Sequence, residues 1–365
     1  MKYVDEFRDP QAVADLVAAI HRISVSRARL MEVCGTHTMS IARYGLRELV
    51  AERAELISGP GCPVCVTAQP DIDWFLDAAR LPGVIAATFG DMMRVPGSFS
   101  SLERARAQGA DVRVLYSPAD AVELARRNPD RQVVFFGVGF ETTAPAVAMS
   151  VIEARDDRLA NYSVFCAHKL IPPALKALVE APDLAVNGFI CPGHVSVIIG
   201  SRPYEFIARE HGVPCVIAGF EPVDVLQAVR MLLQQIAARR AEVEIGYARA
   251  VTRDGNPKAQ TIVGEVFEVA DARWRGLGDV PASGLAFRAQ YGDFDAQRRF
   301  AVNPPPAVEP RGCRCGEVLR GVIQPEECAL FGGRCTPREP VGACMVSSEG
   351  ACAAHYRYRR MGNPT

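Results

Sequence analysis

Three absences frame the sequence. No uninterrupted apolar run is long enough to span a bilayer. No charge of one sign dominates: 41 Lys and Arg stand against 42 Asp and Glu, a formal net charge of −1. That balance argues against a nucleic-acid footprint or a membrane-attracting basic face. The opening residues, Met1-Lys-Tyr-Val-Asp-Glu-Phe-Arg-Asp, carry charges where a secretory leader needs an apolar core. The expectation is a cytoplasmic protein with neither nucleic acid nor membrane as partner. In a reducing compartment, cysteines are more often metal-binding or catalytic than paired in disulfides.

What the chain does have is cysteine. Six of its twelve fall in the last 53 residues: Cys313, Cys315, Cys328, Cys335, Cys344 and Cys352. Such density in a chain of 365 residues points to a metal–thiolate site. The spacing is wide and irregular, which disfavours a zinc ribbon with its two tight knuckles. Four thiolates are needed for a [4Fe–4S] cluster, and six are present. The spacing alone does not say which four. The tail has many turn residues and few long apolar runs, so it is expected to need its metal to hold a fold.

The length suggests two or three domains. Strand-like apolar runs occur at 30–33, 55–57, 84–88, 112–116, 133–136, 162–165, 188–190 and 213–217. Helical patterns fall at 10–20, 72–79, 102–108, 119–127, 146–154, 173–180 and 223–239. Strands alternating with helices predict an α/β fold with parallel sheets, whose ligands bind beyond the carboxyl ends of the strands. Two stretches of similar rhythm, 31–128 and 129–240, read as two α/β domains. A strand-rich region, the Asn303-Pro-Pro-Pro segment and the cysteine-rich tail follow. Residues 241–365 are grouped with 1–30 as a third domain.

The unusual residues sit at the expected strand ends. Cys62-Pro-Val-Cys65 brings two sulfurs close enough for a disulfide or a shared metal, and half of a zinc site is the plainer reading. Cys34-Gly-Thr-His37 puts a thiol and an imidazole after the first strand. The pair suits iron or zinc or a nucleophile with its base; a buried Cys beside a backbone-satisfied His is the bland alternative. Glu141, in Gly139-Phe-Glu-Thr-Thr, is a candidate base or a partner to a ligating His, or simply part of a helix start. Cys191-Pro-Gly-His194 adds another Cys/His pair, with His168 and Lys169 as neighbours at a cleft. Cys166 and Cys215 read as packing residues.

Taken together these motifs resemble the HypD family of hydrogenase formation (maturation) proteins. The resemblance rests on Met31-Glu-Val-Cys-Gly-Thr-His-Thr, Gly59-Pro-Gly-Cys-Pro-Val-Cys, Phe136-Gly-Val-Gly-Phe-Glu-Thr-Thr-Ala-Pro, Gly188-Phe-Ile-Cys-Pro-Gly-His-Val-Ser and Met345-Val-Ser-Ser-Glu-Gly-Ala-Cys352. It implies two similar parallel-sheet α/β domains plus a third carrying an iron–sulfur cluster. It also implies a scaffold on which the Fe(CN)2CO unit of [NiFe]-hydrogenases is assembled. The implied partners are a HypC-type small chaperone and a HypE-type cyanide donor. The family's cluster pattern falls on Cys313, Cys328, Cys335 and Cys352, leaving Cys315 and Cys344 as extra thiols and a candidate redox pair. Cys34 would hold the transient Fe(CN)2CO iron, supported by His37. Cys62 and Cys65 would relay electrons to it from the [4Fe–4S] cluster, and Glu141 and His194 would line the cleft. Many relatives carry a second His after the CGxHT motif; Met39 stands there in this chain. The competing expectations are a stand-alone iron–sulfur-dependent disulfide reductase and a non-catalytic zinc protein.

Overall fold

The computed structural model describes residues 4–359. Eleven strands succeed one another among them: β1 (Ala28–Glu32), β2 (Ala54–Ser58), β3 (Val84–Thr88), β4 (Asp111–Val114), β5 (Gln132–Gly137), β6 (Tyr162–Cys166), β7 (Gly188–Pro192), β8 (Cys215–Ala218), β9 (Val243–Ile245), β10 (Phe267–Trp274) and β11 (Gly278–Phe287). The first nine form two all-parallel sheets, as the strand–helix alternation predicts. One sheet has the order β2-β1-β7-β8-β9 and the other β4-β3-β5-β6. Strands β10 and β11 make a separate antiparallel hairpin, with a bulge between Ala270 and Ala272.

Parallel strands covered on both faces read as continuous apolar runs. Accordingly β3, β7 and β8 are buried at every position. Helices start where sequence chemistry satisfies their free N–H groups. Ser117 and Asp120 form a capping box for the helix Pro118–Arg127, which has proline at its first position. Glu221 and Asp224 do the same for Pro222–Ala237. Packing of the second sheet centres on aromatics. Phe75 stacks on Phe136 at 4.3 Å between centroids, and Phe165 meets both Phe136 edge-on and Trp74.

The sheets do not follow the consecutive division into 31–128 and 129–240. The chain builds β1 and β2, leaves to build the whole second sheet between residues 84 and 166, then returns with β7, β8 and β9 to complete the first. The strand–helix rhythm reports what each segment is, not which sheet it joins, so it could not reveal this double crossing. Counted within each sheet, however, both follow the same parallel order, 2-1-3-4, the first sheet adding β9 at its edge, so the two α/β units are alike in topology as their similar rhythm predicts. The third grouping also divides. Ile20, in the helix Pro10–His21, is buried with Leu30 and Leu226 in the core of the first sheet. Beyond residue 240 the structure adds a helix, Pro257–Val266, that sequence rhythm did not show. It packs on Ala144–Asp156 of the second sheet.

The tail is laid over these layers rather than hung beside them. Ala343, Cys344, Met345, Val346 and Cys352 share one continuous apolar core with Met31, Ile57, Cys65 and Val66 of the first sheet. Among the described residues no helix is long and apolar enough to cross a membrane.

Phe136 is fully buried in the aromatic cluster. Phe136→Ala is expected to cost about 3–5 kcal/mol through lost burial and the cavity left behind. The urea midpoint of the transition that unfolds the second sheet checks this; a change under about 1 kcal/mol would show that the cluster is not a supporting core.

Candidate functional site

In the first sheet the strand order reverses direction at β1. Strand β2 lies on one side of it, and β7, after the long excursion, lies on the other. Such a switch point opens a crevice beyond the carboxyl ends of the two strands. Cys34 follows β1, Gly59 to Cys65 follow β2, His194 follows β7, and Gly219-Phe220 follow β8. The β1–β7 pairing therefore gathers at one edge residues that lie up to 186 apart in sequence.

Glycine lets the first two loops touch. A Cβ on Gly61 would lie 2.1 Å from the Cys34 nitrogen and 2.4 Å from its Cα. Only glycine allows this backbone approach. The Gly35 N–H donates to the Gly61 carbonyl at 2.8 Å, and the Gly59 N–H to the Glu32 carbonyl at 2.8 Å. Cys34 caps the helix Gly35–Arg43, so the CGTHT segment is mostly helix rather than loop. Burial pushes its thiol up to about 12, and Glu349 and Glu32 add to this. The His37 and Thr36 N–H groups at the helix start act the other way.

Glu32 is fully buried beneath the turn. Its Oε2 accepts the Cys34 N–H at 3.1 Å, and its Oε1 accepts the Thr38 hydroxyl. Burial raises its carboxyl to about 7, with Thr38, Ser58, the Cys34 N–H and Arg47 opposing. The tail reaches the same turn through Glu349, whose Oε1 accepts the Thr36 hydroxyl at 2.8 Å. Sequence reasoning singled out neither acid. The signal for Glu32 was a lone carboxylate inside an apolar strand, two residues before Cys34. Glu349 lay inside a motif already quoted from the tail.

His37 is fully buried, and burial lowers it to about 4, so the ring is neutral. Its Nε2–H donates to the Gly219 carbonyl at 2.8 Å. That fixes the tautomer and leaves Nδ1 a bare lone pair, buried and without a partner. Phe220 stacks on His37 at 4.9 Å and on His194 at 3.9 Å. His194 is exposed, at the mouth of the crevice. Glu141 is turned elsewhere. Its Oε1 accepts the Ile171 N–H at 2.9 Å, and its side chain lines a pocket with the helix Pro257–Val266. His168 and Lys169 also find other partners: Thr143 and Cys166 for the imidazole, Asp71 for the ammonium.

The C-x-x-C pair points inward. Cys62 caps the short helix Pro63–Val66, and its Sγ accepts the Cys65 N–H at 3.3 Å. Cys65 is fully buried; burial raises its thiol well above the usual range, while contact with Cys344 opposes. The Cys344 sulfur in turn meets Cys315 and Cys352, and Cys315 meets Cys313. Thiols thus run in file from the crevice into the tail.

They end at a small cavity lined by all six tail cysteines, with Val318, Leu330, Phe331 and Met345 as apolar wall. A Cβ on Gly342 would enter it, 2.6 Å from Cys313 Sγ. The sulfurs ring the cavity; no group of three or more His, Cys, Asp or Glu among the described residues meets in a geometry that holds a single metal ion. A dry wall with thiol donors only, at least four of them, fits a [4Fe–4S] cluster in number and chemistry. Cys313, Cys328, Cys335 and Cys352 all belong to the lining, as do Cys315 and Cys344.

A family model described as the hydrogenase formation hypA family, HypD, matches residues 11–359. The chain belongs to the HypD family. Its relatives include a hydrogenase maturation factor HypD from Cupriavidus necator, 50% identical over 371 residues, covering 99% of this chain and 98% of that one. One from Azotobacter vinelandii is 50% identical over 369 residues, with 99% and 97% covered. One from Escherichia coli is 46% identical over 368 residues, with 99% of each covered.

Gly61→Ala is expected to drive the two loops apart, at an overpacking cost of about 1–3 kcal/mol. The test is the alkylation rate of Cys34, 8% exposed in the native protein, together with the urea midpoint. Faster labelling and a lower midpoint are expected; unchanged values for both would show that the contact is not a constraint.

Proposed function

We propose that this hydrogenase maturation factor is the scaffold on which the Fe(CN)2CO unit of a [NiFe]-hydrogenase is assembled. Cys34 is the protein's ligand to the iron cargo. A HypC-type small chaperone supplies a second cysteine, and a HypE-type donor delivers cyanide. The observation that carries the reading is Cys34 beside a neutral His37 whose Nδ1 is unpartnered, set at the end of a file of thiols running from Cys62 and Cys65 through Cys344 to the tail cavity. The file ends in the crevice where Cys34 begins.

Iron bearing cyanide and CO is low-spin and favours soft donors, which a thiolate supplies. Cys34 holds its proton while the crevice is empty, so iron binding must displace that proton. The Thr36 and His37 N–H groups then face the sulfur as it becomes anionic. His37 offers its Nδ1 lone pair from the next turn of the same helix, and His194 guards the mouth. Four of the tail cysteines, Cys313, Cys328, Cys335 and Cys352, would hold the [4Fe–4S] cluster. When bound, the cluster supplies single electrons. The protein's own part is a two-electron store: Cys62 and Cys65 as a disulfide take up two electrons and two protons to become the dithiol. Cys344 and Cys315 bridge the distance between that pair and the tail cavity.

A stand-alone disulfide reductase would share the thiol file. It would have no use for Cys34 beside a neutral His37 with an open lone pair, and for this reason the scaffold reading is preferred.

Two variants test the proposal. Cys34→Ala is expected to keep the native circular dichroism and melting temperature while yielding no mature hydrogenase in a complemented strain; normal maturation would overturn the assignment. Cys344→Ser is expected to retain the tail metal but slow reduction of the Cys62–Cys65 disulfide, followed by thiol trapping. Wild-type reduction kinetics in that variant would remove Cys344 from the relay.

A further inference from the structure

A cavity of about 530 Å³ lies at the amino end of β6, between the turn that leaves the helix Ala144–Asp156 and the segment 290–299. Sites for small molecules have volumes of this order. Four arginines line it, Arg155, Arg158, Arg298 and Arg299, against one acid, Asp293. Two contacts put guanidinium groups on the cavity wall itself. Arg299 donates to the carbonyls of Tyr162 and Ala160, and Ala160 belongs to the lining. Arg298 Nη1 lies over Gly292, also in the lining, where an added Cβ would come within 2.7 Å of it.

These charges are unequally compensated. Arg155 is engaged: it pairs with Asp156 at 2.9 Å and Glu265 at 3.2 Å and donates to the Tyr291 hydroxyl. Arg299 meets two carbonyls, which orient it without neutralising it, and burial works against its charge, Asp293 opposing. Arg298 stands 3.5 Å from Asp295, whose other oxygen accepts the Gln297 N–H at 2.9 Å. Arg158 has no side-chain partner among the described residues. It ends the helix at φ 56, a left-handed place that glycine usually fills. The acids nearest to it in sequence are taken: Glu153 and Asp157 by Arg126, Asp156 by Arg155.

Arg158, Arg298 and Arg299 therefore have N–H groups and positive charge left for an anion, and the guanidinium fork matches phosphate oxygens. Leu159 and Phe294, half-buried in the same lining, add an apolar face beside them. A single concavity in a chain of net charge −1 suits one compact anion; it gives an extended nucleic acid no basic track to follow. We propose that this cavity binds a small phosphate monoester, its phosphate held by Arg158, Arg298 and Arg299 and its apolar body against Leu159 and Phe294. None of these residues belongs to the Cys34 crevice, and the proposal does not depend on the assembly role.

The test is calorimetric titration of the full-length protein, in phosphate-free buffer, with phenyl phosphate, inorganic phosphate and benzyl alcohol. Three variants accompany it. Arg158→Gly removes one guanidinium and suits the positive φ. Arg298→Ala removes a second, also from an exposed residue. Arg106→Ala is the control: it is exposed on the helix Leu102–Ala107, which packs on β4 at the opposite edge of the sheet from β6. Phenyl phosphate is expected to bind the wild type and the control alike, and about tenfold or more weakly in each cavity variant. It should bind the wild type more tightly than inorganic phosphate or benzyl alcohol does. The proposal is overturned if phenyl phosphate at about 1 mM leaves the wild type unbound, if either cavity variant binds it as the wild type does, or if inorganic phosphate or the alcohol binds equally well. A short single-stranded oligonucleotide that displaces phenyl phosphate at lower concentration would also overturn it, in favour of a nucleic acid.

Discussion

Strand β1 hydrogen-bonds to β2 on one side and to β7 on the other, and the functional geometry depends on that second pairing. Without β7 beside it, β1 would end at an edge and Cys34 would face water. With β7 and β8 in place, Gly219, Phe220 and His194 close over His37. The crevice is therefore a product of topology before it is a product of any single side chain. The chain completes this sheet only after the whole second sheet has been built, so the pairing is also long in range, and the loop to be closed is large.

Burial dominates the chemistry of this crevice. Cys34, Glu32 and His37 are all shifted toward their uncharged forms, and desolvation is the leading cause for each. The low-dielectric surroundings that keep these groups neutral also strengthen any interaction with a charged guest. Such a site suits a metal cargo that brings its own charge and displaces a proton on arrival. The tail completes the enclosure. Glu349 touches Thr36 beside Cys34, while Cys344, five residues earlier, touches Cys65. One short segment thus contacts both the Cys34 turn and the C-x-x-C pair.

Much of this was legible in the residues. Apolar runs located eight of the nine parallel strands within a few positions, most clearly β3, β7 and β8, which are buried at every position and carry no polar interruption beyond a threonine or cysteine near one end. The ninth, β9, is three half-buried residues at a sheet edge, with little pattern to see. Motifs at strand ends placed Cys34, Cys62 and Cys65 just beyond β1 and β2, where they lie, although Cys34 and Cys62 start helices and Cys65 sits inside one rather than in a loop. What did not show was pairing. No local signal reveals that β7 rejoins β1, so the division into consecutive domains missed it. For the same reason Phe220 went unnoticed. Glu141 was grouped with the cleft by its motif alone, whereas its hydrogen bond to Ile171 turns it to another wall. Cys344 looked like a spare thiol in a count of ligands; only the packing shows that it lies between Cys65 and the tail cavity.

The proposed relay would carry electrons from the tail cavity through these thiols to the crevice. The most direct test is the iron, acid-labile sulfide and zinc content per chain of protein purified without oxygen. A cluster-bearing tail gives about four irons and about four sulfides with little zinc. About one zinc and no sulfide would make the tail a structural knuckle, and the relay would fall with it.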